Sequence, residues 1–139
     1  MKWIKSFRLF ENLDNLIITD EEKKYIEEQI KDFDPEYYNN GKGFHIECDT
    51  FGNNPNPVTI ECEKELDGIY LQFSQEAEDG YGGTKQIGDP SDDIDKGFTE
   101  FVKDLKTIEQ SVSEIKKFLS LMSKESNVKD LLTKFRQSR

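Results

Sequence analysis

A single histidine, His45, two cysteines, Cys48 and Cys62, and a surplus of carboxylates are the side chains of this sequence with chemistry to offer. Any imidazole-dependent nucleophilic mechanism must use His45. Structural zinc would need that imidazole beside both thiolates in a tetrahedral set. Apolar residues alternate with polar ones at 44–48 and again at 58–62, which puts both cysteines on the apolar strand face and His45 on the other, so the three do not converge. The cysteines read instead as small apolar core residues. A disulfide is open to them only if the two strands set them opposite each other.

Two stretches imitate ligand loops and fail in their detail. Residues 79–85 hold three glycines followed by Thr84 and Lys85, but a phosphate-cradling loop needs Gly-Lys-Ser/Thr after a four-residue spacer, and the order here is wrong. A surface turn is the simpler reading. Residues 89–100 space oxygens at Asp89, Ser91, Asp93 and Asp95 with Glu100 in the twelfth place of a calcium loop, yet Ile94 stands where the sharp turn demands glycine. These acids fit better as the first turn of a helix capped by Asp89 and opened by Pro90. No metal and no cofactor is expected.

The carboxylates that do converge lie on the polar strand faces. Glu47 and Asp49 share one face of the first strand, Glu61 and Glu63 one face of the second. A register centred on Pro55 sets Glu47 against Glu63 and Asp49 against Glu61. Like charges opposed across strands cost free energy, so a cation, a basic partner surface, or water and salt must offset them. Acid–base catalysis by such a pair requires a cleft that separates the two pKa values, and an exposed sheet face supplies none. Tyr70, on the same face, and Tyr81, in the following loop, offer rigid aromatic contact area, as do Tyr37 and Tyr38. The expected partner-binding set is Glu47, Asp49, Glu61, Glu63, Tyr70 and Tyr81, with no catalytic residue.

The elements that position this set follow from local signals. Trp3, Phe7 and Phe10, interleaved with Lys2, Lys5 and Arg8, describe a short basic amphipathic helix within a segment 1–18 set apart from a single domain 19–139. Thr19 with Glu22 forms a capping box for a helix through Ile26, Ile30 and Phe33 that ends before Pro35. Three strands follow, the second and third joined at Asp67-Gly68 so that Leu66 faces Ile69 and Cys62 faces Phe73; an edge strand near residues 84–87 would make a fourth. Phe98, Phe101, Leu105, Ile108, Val112, Ile115, Leu119 and Met122 then keep three- and four-residue spacings, the seam of a long helix of roughly 30 residues and about 45 Å. A last helix carries Val128, Leu131, Leu132 and Phe135, and residues 136–139 are expected to fray. The fold class is α+β: a three- to four-stranded antiparallel meander with one face covered by helices and a long C-terminal helix.

Composition bounds the function. The chain has 139 residues, 35% charged and 34% hydrophobic, with a net charge of −10 that divides as +3 over residues 1–10, −6 over 11–35, −10 over 36–97 and +3 over 98–139. Direct nucleic-acid binding is not expected of so acidic a middle, and no apolar run approaches a membrane span. Two cysteines and the lack of an apolar secretory stretch point to a reducing, cytoplasmic setting. The segment ending in Leu9-Phe10-Glu11 resembles the leader peptides of T-even-type tailed bacteriophage proteins, which direct internal proteins into the head and are cut after Leu/Ile-x-Glu. That resemblance covers 11 of 139 residues, Ile26-Glu27-Glu28 fits the same cut pattern, and it implies a phage-encoded protein of the host cytoplasm or the virion. The function expected is non-enzymatic: an acidic protein-binding protein, such as a phage-encoded inhibitor or immunity-like protein acting on a basic partner. The alternative is a structural or head-packaged virion component, self-associating along the long helix through Phe101, Leu105, Ile108, Val112 and Ile115.

Overall fold

Alternation at residues 44–48, 58–62 and 69–73 becomes three adjacent strands of a five-stranded sheet in the computed structural model, which describes residues 16–40, 43–49, 55–76 and 97–139. Helix α1 (Asp20–Ile30) runs into a single 3-10 turn at Lys31–Phe33 and is followed by β1 (Glu36–Asn40), β2 (Gly43–Cys48), β3 (Val58–Glu65), β4 (Gly68–Gln75) and β5 (Phe98–Leu105). Helices α2 (Ile108–Lys124) and α3 (Val128–Gln137) complete the described chain. All neighbouring strands are antiparallel, in the order of the sequence.

The capping box forms as its residues require: Thr19 Oγ1 accepts from Glu22 N–H at 3.2 Å, and Glu22 Oε1 accepts from Thr19 N–H at 2.9 Å. The α1 path ends where Asp34 takes a left-handed conformation (φ 54°) just before Pro35. α2 carries a second box, Thr107 with Gln110, which no seam analysis reveals. Replacing Thr107 by Ala should lower unfolding free energy by about 1 kcal/mol. Denaturant titration checks this, with the slope unchanged.

The sheet buries one face. Phe44, Ile46, Val58, Ile60, Leu71, Phe73 and Val102 point into a core shared with Ile26 and Ile30 of α1, five apolar residues of α2, and Leu131 and Phe135 of α3. Ile18, assigned by sequence to the separate N-terminal segment, is part of that core. α2 lies against α1, α3, β4 and β5, as a helix over a one-sided sheet should.

Four expectations need correction. The long helix starts at Ile108, because residues 98–105 form strand β5. In that strand Phe98, Val102 and Leu105 face the core, Glu100 takes an inward position, and a bulge puts Lys103 and Asp104 against Tyr70; apolar spacings of four and three therefore arise in a strand. The proposed self-association seam is used internally: Leu105, Ile108, Val112 and Ile115 are buried in the chain's own core, while Phe101 sits 46% exposed on the other sheet face. The β3–β4 turn is Leu66-Asp67, so Cys62 faces Leu71 and Ile60 faces Phe73, and Leu66 is 69% exposed. Gly68 (φ 158°) flanks that turn because any Cβ there would collide with the Leu105 carbonyl oxygen. The C-terminal residues are tied down rather than frayed: Arg136 grips Glu100 bidentately at 2.9 and 2.6 Å, and Arg139 bonds Glu114 and Asp104. The leader-like segment, residues 79–85 with Tyr81, the edge strand near 84–87 and the helix start at Asp89-Pro90 lie outside the described residues.

Candidate binding face

The face of the sheet opposite the helices carries the polar halves of the alternating runs. Cross-strand registers align one row of five side chains: Tyr38 of β1, His45 of β2, Glu61 of β3, Gln72 of β4 and Phe101 of β5. A second row runs Glu36, Glu47, Thr59, Ser74, Thr99. Glu63 stands opposite Tyr70, and its side chain lies over Gly43, where a Cβ would come within 2.7 Å of Glu63 Cγ.

This register, centred two residues before Pro55, corrects the expected carboxylate pairs. Glu47 is opposite Thr59, Glu61 is opposite His45, and Asp49 lies one residue beyond β2, four positions along the chain from Glu61's partner. The histidine therefore separates the two acids. His45 Nε2 lies 3.1 Å from Glu47 Oε2 and Nδ1 lies 3.4 Å from Glu61 Oε1. An imidazolium donates to both carboxylates, a neutral ring to only one. Glu36, which faces Glu47 across the ladder, accepts a 2.7 Å hydrogen bond from Tyr38 Oη. Of the expected opposed pairs none forms, and among the described residues the one pair of acids that does stand opposite across the strands is Glu36 and Glu47.

The face is graded. Its β1–β3 side is acidic, and its β4–β5 side is aromatic, with Tyr70 and Phe101 tilted at 5.7 Å and Lys103 Nζ over both rings at 5.7 and 5.4 Å. The acidic field shows in the phenols. The hydrogen bond to Glu36, and then its charge, push Tyr38 above the usual tyrosine pKa; Tyr70 is raised by burial and then by Glu63, Glu65 and Glu61. Tyr38 (47%) and Phe101 (46%) leave large aromatic surfaces exposed at opposite ends of the row.

No family model, curated protein or solved structure matches this chain. The geometry therefore carries the functional argument alone. Tyr38, Asn39, His45, Glu47 and Glu61 line a depression of about 330 Å³ on the open face. Both imidazole nitrogens face carboxylates of the same sheet face. What the arrangement offers is several carboxylate acceptors flanked by flat rings, a surface suited to guanidinium and ammonium groups.

Of the expected set, Glu47, Glu61, Glu63 and Tyr70 share the face, Asp49 sits at its margin, and Tyr81 is outside the described residues. Sequence reasoning missed Glu36, the central place of His45, and Phe101, and it gave Tyr38 too small a part. The Glu36 and Tyr38 alternation was available as a signal, since Tyr37 between them stacks inward on Phe44 at 5.6 Å. Cys48 and Cys62 are free and buried, and the register sets them against Val58 and Phe44 respectively, so they do not face each other. Among the described residues no group of three ligand side chains is placed to hold a metal, and no helix is long and apolar enough to cross a membrane.

Proposed function

We propose that this chain is a non-enzymatic protein-binding protein that offers the open, acidic face of its sheet to a basic partner, as a phage-encoded inhibitor or immunity-like protein would. The observation that carries the reading is the row Tyr38, His45, Glu61, Gln72, Phe101 with Glu36, Glu47 and Glu63 beside it: acids within reach of one another, bracketed by exposed aromatic rings. Tyrosine is enriched at binding hot spots, and a net charge of −10 accelerates encounter with a cationic surface. The head-packaged alternative draws no support from the expected helical seam, whose Ile108, Val112 and Ile115 are buried inside the molecule.

The test uses the native chain and a Glu47→Lys/Glu61→Lys variant as matched baits, followed by association kinetics with whatever partner separates them. The double reversal should cost about 2–5 kcal/mol of binding; because both carboxylates also contact His45, the melting curves of the two baits are recorded alongside, and binding is compared at a temperature where both are folded. Added salt should slow association and leave dissociation nearly unchanged. A partner bound equally well by both baits would sink the proposal.

A further inference from the structure

The groove at the other end of the sheet has an occupant in this chain: we infer that residues 1–10 seat the Trp3, Phe7 and Phe10 face of their basic helix between the start of α1, the β3–β4 turn and the β5–α2 junction. The groove holds about 660 Å³, and Leu16, Tyr25, Leu66 and Ile108 supply its apolar wall. Leu66 is 69% exposed and Tyr25 38%, more greasy surface at one spot than an isolated turn residue explains. The rim is acidic, with Glu21, Glu65, Asp67 and Glu109 all exposed. The two lysines in it are already engaged. Lys64 Nζ binds Glu22 Oε1 at 2.7 Å, and Lys106 Nζ donates to the Asp67 carbonyl at 2.6 Å. Among the described residues none of the four rim carboxylates has an ion-pair partner.

Residues 1–10 carry three basic side chains and no acidic one, with the aromatic residues at helical spacing between them. Charge and shape requirements therefore match on both sides. The tether selects this segment over a free peptide: Leu16 is itself a wall of the groove, and the connection from residue 10 spans at most about 20 Å even when extended, so the local concentration of the segment is high. A helix of about 15 Å is marginal alone in water, and the groove supplies the apolar contact it lacks. The open sheet face is acidic too, but it lies across the sheet from the helix layer in which α1, and hence the end of the tether, is packed.

Trp3 is the one tryptophan in the chain, so its fluorescence reports on this segment alone. In the full native protein its emission should be blue-shifted, and acrylamide should quench it several-fold less than in the denatured chain. Glu65→Lys/Glu109→Lys, and separately Leu66→Lys, should return both signals toward those of exposed indole with circular-dichroism melts preserved, since all three positions are exposed. Glu47→Lys/Glu61→Lys on the open face should leave Trp3 unchanged. An exposed Trp3 in the native chain, burial indifferent to the groove variants, or burial that fades on dilution as a second copy's groove would require, overturns the inference.

Discussion

Phe118→Ala should cost about 3–5 kcal/mol of folding free energy, a large share of the roughly 5–15 kcal/mol that holds a domain together. The reason is where the ring sits. Phe118 is fully buried, stacked on Phe73 of β4 at 4.2 Å and 19°, edge-on to Phe135 of α3 at 5.3 Å, and tilted against Phe98 of β5 at 6.0 Å. Phe73 and Phe135 also meet edge-on at 5.4 Å. One ring therefore joins both C-terminal helices to the two last strands, and its removal leaves a cavity that four separate elements would have to close. Aromatic pair geometry adds about 0.5–1.5 kcal/mol per pair beyond buried area. Urea titration at constant slope checks the value. Phe101→Ala is the control: that ring is half exposed on the open face, touching Tyr70 and Lys103, and its loss should cost less than about 1 kcal/mol. Equal effects of the two substitutions would show that the aromatic cluster does not organise the core.

Phe118 also shows where sequence reasoning stops. A seam read at strict three- and four-residue intervals passes through Ile115 and Leu119 and omits Phe118, yet α2 buries Ile108, Ser111, Val112, Glu114, Ile115, Phe118 and Leu119. That stripe is wider than a coiled-coil seam and is the mark of a helix lying on a sheet. The adjacent pair Phe118-Leu119 held the clue. The capping box at Thr19, the three central strands and their inward faces were readable because each rests on local alternation or a short-range hydrogen bond. Registers were not, because an even shift, two residues in the β3–β4 pairing and four in the β2–β3 pairing, keeps every side chain on its own face and leaves no trace in the pattern. The β2–β3 shift set His45 opposite Glu61 and beside Glu47, and so remade the candidate site. Strand β1, Glu-Tyr-Tyr-Asn-Asn, offered only the short Glu36/Tyr38 alternation, and β5 was masked by its bulged apolar spacing and by an inward Glu100 whose charge is met by Arg136, 36 residues away in sequence.

Stability should collapse in alkali, and the two cysteines should be the cause. Burial pushes the Cys48 thiol from an ordinary value of 9.0 to about 12, with Asp49 adding to the shift. Cys62 is likewise raised to about 12, by burial and then Glu22, while Lys64 pulls the other way. Both thiols stay protonated in the folded chain at a pH where the unfolded chain has already ionised them. Below pH 9 the two states bind the same protons and these groups leave stability unchanged. Above it the unfolded state gains about 1.4 kcal/mol per pH unit per thiol until the folded thiols ionise as well. By pH 11 the two together remove about 5 kcal/mol, comparable with the whole stability of a small domain. Tyr37, raised from 10.0 to about 12 by burial and then by Glu27, steepens the fall at its upper end. Cys48→Ala/Cys62→Ala creates small cavities whose cost does not depend on pH, so the slope rather than the level is the diagnostic quantity. Urea unfolding from pH 8 to 11 should show a steep decline in the native chain and a much shallower one in the double variant. Parallel declines would mean that the thiols are not the buried acids that set the alkaline limit. Thiol labelling at pH 8 gives an independent reading, because a thiol held protonated and covered reacts only when the sheet opens.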